Sequence, residues 1–195
     1  MDYNISFFLT ALGLGVGLAM DAFSVSLANG LAEPSMKIRK MTCVAGVFGI
    51  FQGIMPLIGW VCVHTLVTYF TVFQKFIPYI ALILLAFIGG KMIYEGIKGE
   101  DEVGLRKLTF SGLMIQGVAT SIDALSVGFT ISGYNVWGAL LNAGIIAFMT
   151  FLICFAGIII GKNLGTRLKG KASVLGGVIL VLIGLEIFVS SFFSA

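Results

Sequence analysis

Six stretches of this chain are each long and apolar enough to cross a lipid bilayer: Ile5 to Leu31, Met41 to Tyr69, Phe76 to Ile97, Leu108 to Ser132, Trp137 to Ile160 and Ala172 to Phe193. A crossing helix needs roughly 20 such residues, and what lies between these runs is too short to build a water-soluble domain. With 58% hydrophobic and 11% charged residues, the chain as a whole has no source for a solvated surface. Backbone inside lipid must satisfy its own hydrogen bonds, which leaves helices or a closed barrel. The runs are continuous and rich in Leu, Ile, Gly and Ala, without the alternation of a barrel strand, so the expected fold is an all-α membrane protein. The first run follows Asp2, has no basic leader and exceeds a signal-peptide core; it is expected to be a retained helix.

Charge placement orders these helices. Lys37, Arg39 and Lys40 follow the first run, Lys98, Arg106 and Lys107 separate the third from the fourth, and Lys162, Arg167, Lys169 and Lys171 separate the fifth from the sixth. The alternate loops hold only Lys75. Basic residues in short loops are retained in the cytoplasm, which predicts three cytoplasmic loops and both termini outside, in a multi-pass membrane protein.

Two phrases recur in matched positions. Asp21-Ala22-Phe23-Ser24-Val25-Ser26 lies in the first run and Asp123-Ala124-Leu125-Ser126-Val127-Gly128 in the fourth. Gln52 to Gly59 in the second run has the spacing of Thr150 to Gly157 in the fifth, and Ile88-Gly89-Gly90-Lys91 answers Ile183-Gly184-Leu185-Glu186. A duplicated unit of three helices follows: 1–98 and 108–195, joined by a charged cytoplasmic linker over 99–107. Three is odd, so the copies enter the membrane from opposite sides. Six transmembrane helices as two inverted three-helix repeats is a secondary-transporter plan, with substrate held near the midplane.

A carboxylate at the centre of a membrane helix costs about 2.5 to 3.5 kcal/mol, so two at equivalent positions point to a working site. Asp21 and Asp123, on oppositely directed helices, are expected to face each other near mid-membrane. Ser24 and Ser126 each follow their aspartate by three residues and share its helical face. Gln52 and Thr150 are the matched polar residues of the second and fifth runs, and Pro56 frees a backbone carbonyl near Gln52. These six residues form the candidate metal site. Glu186, deep in the last run, is a candidate second ion or proton site. Lys91 reaches toward an interface, with Glu95 one turn on.

Carboxylates with hydroxyl and amide oxygens make a hard oxygen site, suited to Mg, Mn or Ca. A thiolate metal site is not expected: Cys43, Cys62 and Cys154 make no CxxC pair, and His64 is the one histidine, while Met20 and Met114, more often packing residues, are the candidates for a soft thioether. There is no Walker motif for ATP, no HExxH, no serine motif beside a base, and no basic surface beyond the loops that set topology for nucleic acid to use. An enzyme is therefore not expected, nor is a cofactor. A carrier of cationic amino acids is the competing transporter reading, since two aspartates suit that cargo too.

The stretches Gly13 to Ser24, Ala119 to Gly128 and Leu175 to Gly184 resemble the manganese efflux pump (MntP) family of inner-membrane exporters. The resemblance implies export of Mn(II) as substrate, with Asp21 and Asp123 matching the acids of the family's motifs. Proton coupling is the drive it suggests, with the carboxylates exchanging metal for protons as the two units rock.

Overall fold

The computed structural model describes residues 5–65, 77–98, 108–168 and 172–193. All regular structure among them is helical: α1 (Ile5–Ala32), α2 (Ile38–Thr65), α3 (Ile77–Lys98), α4 (Phe110–Ser121), α5 (Ala124–Thr130), α6 (Val136–Leu168) and α7 (Ala172–Phe193). Among the described residues four helical stretches, Ile5–Ala32, Ile38–Val63, Phe110–Thr130 and Val136–Gly165, are long and apolar enough to cross a membrane. The linker over 99–107, the charges at Lys75, Lys169 and Lys171, and the side chains of Glu95 and Glu186 lie outside the described residues.

The boundaries have local causes. Pro34 disfavours helical backbone in the residue before it, and α1 ends just ahead of Glu33. Gly138 N–H donates to Asn135 Oδ1 (2.8 Å), satisfying an orphan donor of the first turn of α6. Pro56 sits inside α2 without ending it.

Two expectations are corrected. The fifth apolar run continues as helix eight residues beyond Ile160, so Lys162 and Arg167 belong to the last turns of α6 rather than to a loop. Cations there oppose the negative end of the helix dipole, and the Lys162 ammonium donates to the Met36 carbonyl at 2.9 Å. The fourth run is one crossing stretch, Phe110–Thr130, but its helical hydrogen-bond ladder is interrupted. The interruption at Ile122 and Asp123 divides it into α4 and α5.

Helices pack chiefly on partners from the other half of the chain. The broadest interfaces join α1 to α6, α3 to α7, α2 to α6 and α2 to α5, whereas α1 and α2 barely touch. Small residues make the crossings close. A Cβ on Gly157 would stand 2.9 Å from the Phe23 carbonyl of α1, and one on Gly59 would overlap the Leu125 carbonyl of α5. These two contacts correspond in the repeated phrases, because Phe23 and Leu125 each lie two residues past an aspartate. Gly15 meets Ile146 and Met149 while Gly30 meets Ile158, so α1 and α6 run parallel. One apolar cluster surrounds Ala22, Val25, Phe48, Cys154 and Leu180; another joins Val127, Ile131, Ala139 and Ile146 with Leu14, Leu18, Leu57 and Trp60.

Candidate metal centre

Hydroxyls explain where the fourth run breaks. Thr120 Oγ1 donates to the Gln116 carbonyl at 2.9 Å and Ser121 Oγ to the Gly117 carbonyl at 2.7 Å. Such back-bonding competes with the helix ladder and bends it. Two residues on, the Asp123 carboxylate accepts from the Ala124 N–H at 2.8 Å, capping α5. Ile122 and Asp123 both keep right-handed helical backbone angles, so the interruption lies in the hydrogen-bond ladder rather than in the course of the chain, and the Ile122 and Asp123 carbonyls accept from the Leu125 and Ser126 N–H groups at 3.2 and 2.9 Å.

Asp21 remains within continuous α1 and is half-buried. It lies close enough to Asp123 for the two carboxylates to repel each other. The structure thus brings the two sequence-predicted acids together. Ser126, one turn past Asp123, is exposed on α5. Ser24 donates its hydroxyl to the Met20 carbonyl at 3.1 Å, a bond within α1. Gln52 and Thr150 are elsewhere: both are completely buried where α1, α2 and α6 converge, and Gln52 Nε2 donates to the Leu18 carbonyl at 2.8 Å. Lys91 is exposed on α3.

Surroundings differ on the two sides of the acid pair. Toward the basic end, where α1 finishes and α4 begins, the helices are closely packed: Val25, Ser26, Ala28 and Asn29 are buried, as are Gln116, Ala119 and Thr120. Toward the opposite end the flanks are open. Gly13, Gly17, Met20, Ser126 and Thr130 are exposed, and a Cβ on Gly13 or Gly17 would meet nothing within 4 Å.

The closed side holds a feature that sequence reasoning missed. Asn29 Nδ2 donates to Gln116 Oε1 at 2.8 Å, and Gln116 Nε2 returns a bond to Asn29 Oδ1 at 3.3 Å. Asn29 follows Asp21 by eight residues and Gln116 precedes Asp123 by seven, so in these antiparallel helices the amide pair lies about 12 Å from the acids, on the basic side. A signal was present: each acid has an amide residue two turns away in the same direction across the membrane. Near the helix ends, Lys40 Nζ pairs with Glu33 Oε2 at 2.6 Å and Leu108 N–H donates to the same oxygen at 3.1 Å, tying α1 to α2 and to the start of α4.

Among the described residues no group of three or more His, Cys, Asp or Glu side chains could hold a metal ion. Helices of membrane-crossing length define a multi-pass membrane protein. The sequence profile of the family described as "Putative manganese efflux pump" matches residues 35–188, and the chain belongs to that family. Proteins bearing that same description include one from Ruminiclostridium cellulolyticum, 44% identical over 182 residues, covering 92% of this chain and 94% of the relative. Another from Rippkaea orientalis is 44% identical over 177 residues, with 90% and 92% covered. One from Methanosarcina mazei is 41% identical over 182 residues, with 92% and 95% covered. No solved structure matches the chain. The family is one of metal efflux transporters, not of enzymes.

Proposed function

We propose that the chain exports Mn(II) from the cytoplasm by alternating access, with Asp21 and Asp123 as the ligands that carry the ion. The observation that carries this reading is the meeting of the two acids at the interruption between α4 and α5. Two carboxylates neutralise a divalent ion, while Ser126, the hydroxyl of Ser24 once released from Met20, and water complete a hard octahedral shell. So few charged ligands keep affinity moderate, as a carrier that must release its cargo requires. Gln52 and Thr150 are assigned to the layer behind Asp21 rather than to the ion. Glu186 on α7 is retained as the candidate second ion or proton site.

The helix directions support six crossings in two inverted units, 1–98 and 108–195. Glu33 and Leu108 meet at one end of the bundle, so α4 begins where α1 finishes. The chain runs away from that end along α2, and must cross back before residue 108; α3 is the helix available to do so. The basic end is assigned to the cytoplasm of a bacterial inner membrane, with both termini outside.

Rocking of one three-helix unit against the other as rigid bodies would strip the broadest interfaces, because those interfaces join opposite halves. The seam between α1 and α4 is slender by comparison. Separation there, with rupture of the Asn29–Gln116 pair, opens the acids to the cytoplasm; its closure leaves them facing the outer side. Protons compete with metal for both carboxylates, so the outer pH drives release.

In cells lacking other manganese exporters, Asp21→Asn and Asp123→Asn are each expected to abolish manganese tolerance at wild-type expression. Full tolerance with either variant contradicts the proposal. Vesicle uptake of lysine in place of metal would favour the amino-acid carrier.

A further inference from the structure

Polar side chains are distributed unevenly around α5. Asp123, Ser126 and Thr130 follow one another by three and four residues, so they form a row along one face, and all three are exposed. Most of the remaining surface of the helix is packed. Ala124, Leu125, Val127 and Gly128 are buried, Val127 in the cluster that includes Leu14 and Leu18 of α1, while Leu125 and Gly128 lie against Gly59 of α2. The row belongs to a stretch of membrane-crossing length, where a carboxylate faces protein or water rather than hydrocarbon.

Thr130 makes the same point independently. A hydroxyl in an apolar setting ordinarily bonds a carbonyl of its own preceding turn. Ser24, Thr42, Thr120, Ser121 and Ser132 each do so, at 2.6 to 3.1 Å. Thr130 makes no such bond among the described residues, so its hydroxyl is supplied with a partner only where water reaches it.

The matched phrase in α1 gives the contrast. Its row is Asp21, Ser24 and Ala28, in which Ser24 is bonded to the Met20 carbonyl and Ala28 is 0% exposed. Because α1 and α4 are antiparallel, the Ala28 row leads to the closed basic side and the Thr130 row to the opposite, open side. Along that open side α1 carries Gly13 and Gly17, where a Cβ would meet nothing within 4 Å. There α1 packs on α4 but hardly on α5, which leaves space beyond the acids. Neutral hydroxyls accept hydrogen bonds from water bound to a cation yet add no charge to detain it, which suits passage rather than storage.

We propose that Asp123, Ser126 and Thr130 form one wall of a water-filled path by which a hydrated divalent cation passes between the acid pair and the outer side. Thr130, about 10 Å from Asp123 along the helix, is its outer station. This rests on the carrier reading above and adds to it a route and a residue.

The test places cysteines in the full chain and applies a charged, membrane-impermeant maleimide from the outer side. Only a thiol in contact with water ionises and reacts, so the reagent separates a wet wall from a lipid-facing one. Ser126→Cys and Thr130→Cys are expected to label at least tenfold faster than Phe148→Cys, an exposed position on the apolar face of α6, with the three native cysteines of wild type setting the background. In proteoliposomes Thr130→Val is expected to bind Mn(II) within twofold of wild type, read from loss of the free-ion electron paramagnetic resonance signal, while manganese flux falls at least threefold. Thr130→Ser is expected to keep wild-type flux. Labelling at 126 and 130 no faster than at 148 overturns the proposal, as does wild-type flux in Thr130→Val, or spontaneous disulfide-linked dimers of Thr130→Cys, which would assign the row to contact with a second copy. Each of these results leaves the metal site standing if wild type transports manganese; labelling as expected in a wild type that moves no metal removes the carrier reading instead. Should Ser126→Cys not fold, Thr130→Cys decides alone.

Discussion

At Asp21 and Asp123 the decisive property is ionisation. A carboxylate binds manganese only when deprotonated, so acidification must weaken the metal, and lowering the outer pH is expected to raise the dissociation constant monotonically in a titration of the purified protein. Ser24 bonds Met20 within its own helix, and Ser126 is exposed on α5. If each hydroxyl lends one oxygen to the ion, Ser24→Ala and Ser126→Ala are each expected to weaken manganese binding about three- to tenfold, in line with loss of one hydrogen-bonding group. Isothermal titration of both variants checks this, and unchanged affinity removes that serine from the site. The acids and their serines were legible from the repeated phrase alone. Their different surroundings were not, because nothing in the repeat marks where one copy becomes discontinuous.

At the level of helices, the Asn29–Gln116 pair is the joint between α1 and α4. Asn29→Leu leaves the Gln116 amide buried without a partner and is expected to destabilise the packed basic side by about 1 to 3 kcal/mol. The double variant Asn29→Leu, Gln116→Leu removes both partners and is expected to recover most of that loss. Thermal unfolding in detergent measures the cycle, and additive losses would deny the pairing. Close helix approach supplies a second test. Gly59→Leu pushes a side chain against the Leu125 carbonyl, and separating α2 from α5 is expected to cost at least about 1 to 3 kcal/mol, whereas Gly13→Leu adds a side chain in open space and should cost little. Helix existence was readable from apolar run length. The break was not, since Thr120 and Ser121 act through backbone carbonyls that hydropathy does not register. Nor was the full length of α6: Lys162 and Arg167 look like loop charges until the lysine is seen reaching Met36.

For the molecule as a whole, the two halves of the chain pack mainly on each other. Phe23 against Gly157 and Leu125 against Gly59 are matching contacts, which accords with the proposed repeat. The exchange is imperfect where function needs it to be. Asn29 and Gln116 hold the basic side with hydrogen bonds, while the equivalent positions near the outer side, Ile131 and Leu14, belong to an apolar cluster. Sequence likeness suggested the units; it could not say which side is closed, because that depends on how α1 meets α4 rather than on either alone. The central claim is that one pair of acids carries the ion across. It is tested most directly by manganese uptake into inside-out vesicles holding wild type, Asp21→Asn or Asp123→Asn at equal abundance. Uptake by wild type and its loss to the level of empty vesicles in both variants is the predicted result; uptake at the wild-type rate in either variant would contradict the account.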